Sequence, residues 1–166
     1  LVVATFKFLT DLEELPYAIR QVDGGVLLQE KDHKTVVVKN LKVATTKKPT
    51  AAQLESLLFG WRAIKYIHSN AVILVKGTRV VGIGCGQTSR VGSLKIAIDK
   101  AGKQAKGSLM VSDAFLPHVD NVQEAAKAGI AAIIQTGGSV ADEAVIAEAN
   151  KRKIAMVMTG MRHFKH

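Results

Sequence analysis

The sequence predicts an α/β protein, a three-layer α/β/α sandwich around a mixed sheet, formed by a single domain over residues 1–166. Three observations carry this. Beyond residue 106, short apolar runs alternate with helix-length segments in the order strand, helix, strand, helix, strand, which is the pattern of a mostly parallel sheet. Upstream, the runs Ala71 to Val75 and Val80 to Ile83 flank the turn Lys76-Gly77-Thr78-Arg79 and read as an antiparallel pair. The length of 166 residues fits one domain, since domains run about 100–200 residues.

Taken in order, the first 48 residues read as N-terminal extended pieces. Gly24-Gly25 is a turn signal, Val26, Leu27 and Leu28 form an apolar strand core, and Thr35 to Val38 is a second β-branched run. Helical signals begin at Pro49. Thr50 is a candidate N-cap with Gln53 three residues on, a capping box. Leu54, Leu57, Leu58, Trp61, Ile64 and Ile67 then recur at helical spacing, which carries the helix to about His68. After the hairpin, Gly82, Gly84 and Gly86 lead into a helix over about Ser89 to Ala105. The later strands are Leu109 to Val111, Ala131 to Ile134 and Ile154 to Met158. The later helices are Asn121 to Lys127 and Ala141 to Asn150, with Asp120 and Ser139 as candidate caps.

Composition narrows the function classes. With 48% hydrophobic and 22% charged residues the chain is globular rather than disordered. The single Cys85 excludes an internal disulfide and reads as a small buried residue. The five histidines show no HExxH spacing and there is no CxxC, which argues against zinc. No apolar run reaches the roughly 18 residues that cross a bilayer, and LVVATFKFL lacks the lead-in and cleavage site of a signal peptide. The expectation is a cytoplasmic protein with no membrane partner. A net charge of +9 favours anionic partners. The basic residues are dispersed and only 5% of residues are aromatic, so solvated helix faces outweigh a nucleic-acid surface and an anionic small molecule stays open.

In open α/β sheets, ligands sit beyond the carboxyl ends of strands. The loops Ser69-Asn70, Gly86 to Arg90, Ser112 to Phe115, Gln135 to Ser139 and Thr159 to His166 qualify. GIGCGQTSR reads either as a phosphate-cradling loop or as a tight strand-to-helix turn; it has no Walker lysine, and spacing alone favours the turn. Arg90 is a cation at a helix start, where it opposes the helix dipole, so it calls for an anionic or carbonyl partner. Asp113 either serves a ligand or caps the turn containing Pro117, and Phe115 is either a stacking platform or core. RHFKH reads as a frayed basic tail unless Phe164 pins it.

Taken together, SNAVILVKGTRVVGIGCGQTSRVGSLKIAIDKAG and SDAFLPHVDNVQEAAKAGIAAIIQTGGSVADEAVIAEANKRKIAMVMTGMRHFKH closely resemble the C-terminal end of AICAR transformylase, the formyltransferase part of a bifunctional purine-synthesis enzyme. QVDGGVLLQEKD and LFGWRAIKYIHSNA resemble the same family, so the likeness runs from about Val22 to His166. It implies the second of two cytidine-deaminase-like subdomains, and formyl transfer from formyl-tetrahydrofolate to the amine of AICAR, a step of de novo IMP synthesis. It also implies a homodimer with sites at the interface.

Carried over by motif, the resemblance gives Asn70 the catalytic position facing the AICAR carboxamide. It gives substrate binding to Arg90, Phe115, Arg162 (the phosphate arginine), Phe164 and His166, and folate-pocket positions to Pro117, Asn121 and Ser139. It implies a potassium ion near Asp113 and Ser69. The chain departs from the family at several points. The catalytic Lys-His motif KHxNPxG is absent, as is RYGxNPHQ; SDAFLPH stands where SDAFFPF is usual, with Leu116 and His118; and Thr136 replaces a frequent proline. The expectation is that the chain supplies the part of the site lacking the Lys-His motif, as a piece of a longer enzyme or as a natural short protein, and is inactive alone. A non-catalytic purine-nucleotide-binding module is the alternative. The missing HxE and PCxxC elements argue strongly against a deaminase.

Overall fold

The structure, a computed structural model, describes residues 16–36 and 38–166. The stretch LVVATFKFL and Val37 of the Thr35 to Val38 run lie outside the described residues. The chain divides into two compact units between His33 and Lys34. In the first, β1 (Tyr17–Val22) pairs antiparallel with β2 (Gly25–Glu30), turning at Gly24 with φ +77°. The apolar run Val26, Leu27 and Leu28 does form a strand, but all three side chains are exposed.

The second unit holds a six-stranded sheet in the order β3-β8-β7-β6-β4-β5. Its strands are β3 (Lys42–Val43), β4 (Val72–Lys76), β5 (Arg79–Gly84), β6 (Leu109–Ser112), β7 (Ala132–Gln135) and β8 (Ala155–Met158). The helices are α1 (Ala51–Ile64), α2 (Arg90–Ala101), α3 (Asp120–Lys127) and α4 (Asp142–Lys151). The sheet is mixed, as expected, but not mostly parallel. Only β6–β7 and β7–β8 are parallel, while β4 is antiparallel to both β5 and β6, and β3 is antiparallel to β8. The short link between β4 and β5 forces the first reversal, and the crossover through α2 then returns β6 to the other side of β4.

Alternation along the strands separates two cores, because successive side chains point to opposite faces. Val72, Leu74, Met110, Ile133 and Met156 pack with Leu94 and Ala97 of α2, Val122 and Ala125 of α3, and Val145 and Ala149 of α4. Ile73, Val75, Val111, Ile134 and Val157 pack with Leu57, Trp61 and Ile64 of α1. Helices therefore cover both faces, which is why these strands read as unbroken apolar runs.

Local chemistry sets the helix ends. Thr50 Oγ1 accepts from Gln53 N at 3.2 Å and Gln53 Oε1 accepts from Thr50 N at 3.0 Å, the expected capping box. The helix stops at Ile64, short of His68, because Tyr66 N and Ile67 N bond back three residues, to Ala63 and Ile64, and tighten the last turn. Helix α2 starts behind Ser89, whose Oγ accepts from Gly92 N, and ends at Ala101, where Gly102 turns to φ +52°. Neither Asp120 nor Ser139 is an N-cap: the cap positions are Val119 and Ala141. Asp120 Oδ1 instead accepts from Asn121, and Ser139 Oγ accepts from Ala141 N in a local turn. Of the Thr35 to Val38 run, the described Thr35 and Val36 are not in a strand, and Val38–Asn40 is a 3-10 turn.

Candidate active site

The carboxyl ends of β5, β6, β7 and β8 and the amino end of β4 lie at one end of the sheet, because β4 runs antiparallel to both neighbours. Asp113, the residue just past β6, organises this end. Its carboxylate is fully buried. Asp113 Oδ1 accepts from Arg90 NH1 at 2.8 Å, and Oδ2 accepts from Ser69 Oγ at 2.7 Å and Ala71 N at 2.9 Å. Its backbone carbonyl accepts from His163 N at 2.9 Å. One residue thus ties together the starts of β4 and α2 and the C-terminal segment. Each oxygen already accepts at least one hydrogen bond, which makes Asp113 an anchor in the wall.

Arg90 finds both partner types that its place at a helix start demands. Besides Asp113, its Nε donates to Phe115 O at 2.9 Å and its NH2 to Asn70 Oδ1 at 3.2 Å. Burial lowers the guanidinium pKa from its ordinary value, and the Asp113 carboxylate opposes that shift. Asn70 is held from both sides. Its Oδ1 accepts from Arg90, its Nδ2 donates to Gln87 O at 3.0 Å, and its backbone carbonyl accepts from Ser93 Oγ at 2.7 Å. The Ser69–Asn70 peptide is cis. An amide carries two N–H donors, so Asn70 retains one beyond the bond to Gln87.

These side chains line a cavity of about 370 Å³. Asn70, Arg90, Phe115, Pro117, Asn121 and Phe164 all contribute, so six of the residues named from sequence meet here. Asn121 is buried, and its Oδ1 has no hydrogen-bond partner among the described residues. Thr88, Ser89, His118 and Asp120 complete the polar lining; the sequence marked His118 as a departure from the family motif and Asp120 as a candidate cap, and none of the four as a site residue.

Arg162 does not join that cavity. It lines a neighbouring one of about 530 Å³ with Lys34, Phe115, Thr136, Gly137, Gly138, Gly160 and Met161. Phe115 belongs to both walls, and Arg162 lies 5.0 Å over the Phe164 ring, so the two cavities abut. Phe115 is partly exposed and is a wall rather than core. His166 lies outside both linings, with its ring edge-on to Phe164 at 5.7 Å. Ser139 is also outside both, next to Gly138.

The C-terminal segment is not frayed. His163, only 2% exposed, packs its ring 4.7 Å from Trp61, while Lys165 N donates to Ser69 Oγ and Ser69 N donates to Lys165 O. His163 is therefore an anchor of this segment, a role the sequence offered only to Phe164. Cys85 is half-buried rather than buried. Among the described residues, no cluster of three or more His, Cys, Asp or Glu side chains could hold a metal ion, and no helix is long and apolar enough to cross a membrane.

With this geometry in place, comparison with known proteins decides the family. The AICARFT/IMPCHase bienzyme family matches residues 2–100. This chain belongs to that family. The bifunctional purine biosynthesis protein PurH of Anoxybacillus flavithermus is 47% identical over 162 residues, covering 98% of this chain and 32% of that protein. PurH of Halalkalibacterium halodurans is 51% identical over 148 residues, covering 89% and 29%. The chain therefore spans about a third of the length of these relatives. Among solved structures, Acinetobacter baumannii RibD (form 2) matches with a TM-score of 0.40 at 12% identity over 64% of this chain and 34% of that one, too loose a likeness to carry an argument.

Proposed function

We infer that this member of the family supplies one part of a site for formyl transfer from formyl-tetrahydrofolate to the exocyclic amine of AICAR, in purine biosynthesis. The observation that carries the reading is the chain of hydrogen bonds from the buried Asp113 through Arg90 to Asn70, which fixes the Asn70 amide in the wall of the 370 Å³ cavity. The AICAR amine is conjugated with its ring and is a weak nucleophile. Transfer needs a base to take its proton and a donor for the tetrahedral oxyanion. The spare N–H of Asn70 is that donor or the hook for the AICAR carboxamide. Arg90 and Asp113 act through it as positioning residues, and no step is routed through potassium. Phe115 and Phe164 give flat apolar walls for the purine precursor. Pro117 and the unsatisfied Oδ1 of Asn121 suit the folate ring and its amino group, with Ser139 further out. Arg162 takes the nucleotide phosphate, and His166 closes over Phe164.

The base and the lysine of the KHxNPxG motif then come from another chain or subdomain, as in a homodimer or a complemented pair. This reading takes the chain as one cytoplasmic domain over residues 1–166, the second cytidine-deaminase-like α/β/α subdomain of a transformylase, with residues 1–48 as its extended N-terminal part. Helices on both faces of the sheet support it.

The test is turnover of AICAR and formyl-tetrahydrofolate. The chain alone is expected to be silent, and mixing it with the family's KHxNPxG-bearing part restores turnover. Asn70→Ala then lowers the restored rate by about 10²–10³-fold, the usual effect of losing one oxyanion donor. Robust turnover by the isolated chain removes the case for an external base. Absence of both AICAR binding and complementation ends the reading.

A further inference from the structure

Gln135 is a polar side chain at the end of an otherwise apolar strand, β7. It is fully buried and, by strand alternation, shares a face of the sheet with Ile133. An amide buried among apolar side chains costs stability unless its polar atoms are bonded, and a leucine would fill the space without that cost. The amide is used as a bridge. Its Oε1 accepts from Gly137 N at 2.9 Å and from Leu116 N at 3.4 Å, and its Nε2 donates to Met156 Sδ, a weak acceptor, at 3.5 Å. The Leu116 N–H belongs to the same planar peptide as the Phe115 carbonyl. That carbonyl accepts from Arg90 Nε at 2.9 Å. One rigid unit is thus held at both edges, by the network that fixes Asn70 and by Gln135. Through it the bonds run unbroken from Asn70, in the wall of the first cavity, to Gly137 N, in the wall of the second. Phe115, which belongs to both walls, sits in the middle of this chain.

We propose that Gln135 is a positioning residue that sets the spacing of the two cavities, so that one nucleotide can occupy both. The proposal rests on the reading above, in which the base of AICAR lies by Asn70 and Phe115 and its phosphate lies by Arg162. A ligand that spans two sites gains from the second contact only when both can be engaged at once, and the gain is lost when the geometry forbids it. Gln135 itself lines neither cavity. Its acceptor oxygen touches only backbone N–H groups of the two walls. Removing that oxygen therefore leaves each half-site with its own contacts and spoils their register.

The experiment is calorimetric titration of the full chain with AICAR and with its two halves, the phosphate-free nucleoside and ribose 5-phosphate. The parent is expected to bind AICAR more tightly than either half. Gln135→Met keeps an unbranched side chain but removes the shared acceptor. It is expected to weaken AICAR by about tenfold, short of the roughly hundredfold that a 1 Å misplacement can cost. Both halves should bind within about twofold of the parent, the scatter of independent sites, which also shows that the variant is folded. Gln135→Asn keeps the amide but is one methylene too short to bridge the two N–H groups. It should show the same selective loss, and it decides the question where Gln135→Met does not fold. If the variants keep the parent's affinity for AICAR, or lose affinity for AICAR and both halves alike, the proposal is wrong and the formyl-transfer reading stands. If the parent binds neither AICAR nor its nucleoside, or binds the two equally, the reading's placement of the nucleotide fails and the proposal falls with it.

Discussion

At the scale of single residues, the site depends on a buried ion pair whose members lie 23 positions apart in sequence. A buried pair adds little over a well-packed apolar pair, but removing one partner strands the other charge. Asp113→Ala leaves the guanidinium of Arg90 buried with only Phe115 O and Asn70 Oδ1, and leaves Ser69 Oγ and Ala71 N without their acceptor. The expected cost is about 3–5 kcal/mol in urea unfolding. A loss below about 1 kcal/mol would mean that water reaches Arg90 and that Asp113 is no anchor. Arg90 was legible in the sequence because a cation at a helix start needs a partner. Its partner was not, since Asp113 read equally well as a local turn cap. His163 was illegible for another reason: chain ends fray by default, and this one is held by tertiary partners, Trp61, the Asp113 carbonyl and Ser69.

At the scale of elements, what was legible is what local chemistry decides. The capping box at Thr50 stands where the residue types put it, and the helix expected from about Ser89 starts behind that residue. Boundaries set by short three-residue hydrogen bonds, which apolar spacing does not show, were missed at Val38 and at the end of α1. The glycine series shows the difference well. By spacing, GIGCG is a weak phosphate loop or a tight turn, yet two of its glycines serve helix–strand packing. A Cβ at Gly84 would fall 1.8 Å from Ser93 O, and one at Gly82 would fall 2.1 Å from Ala97 O, both backbone atoms of α2. Gly84→Ala must push away the helix that carries Arg90. The expected destabilisation is about 3 kcal/mol, the upper range for overpacking, with a weaker hold on any ligand of the first cavity. A melting temperature equal to the parent's would refute this close approach.

Charge on the helices gives a pH dependence of its own. On α4, the hydrogen bond from Arg152 holds the Glu148 carboxyl below its ordinary value, although desolvation opposes this. A carboxyl depressed in the folded state adds stability above its unfolded pKa, about 4.3, and that stability is lost as pH falls through the folded value. Glu148→Gln should therefore melt slightly below the parent at pH 7 and converge with it once the pH has fallen through the depressed folded value. A gap that persists unchanged at pH 3 would assign the effect to packing instead of ionisation.

At the scale of the whole molecule, the sheet departs from expectation where topology, not local sequence, decides. Strand existence was readable from apolar runs, but the direction of β4 against β6 follows from the return path through α2. The division between His33 and Lys34 also escaped the sequence, because no linker composition marks it. Among the described residues, the buried members of both cores come from residues 57–158, with partly buried neighbours from Val36 onward, all in the second unit. The hairpin instead leaves Tyr17, Ile19, Val26 and Leu28 exposed on one of its faces. A two-stranded hairpin by itself is marginally stable in water. A shortened chain that begins at Lys34 should consequently keep the parent's unfolding free energy in urea to within about 0.5 kcal/mol, the usual range for changes away from the core. It should also bind less of a hydrophobic dye, since one exposed apolar face has been removed. A shortened chain that fails to fold, or unfolds at much lower urea, would show that the hairpin contributes to the core that residues 34–166 otherwise build for themselves.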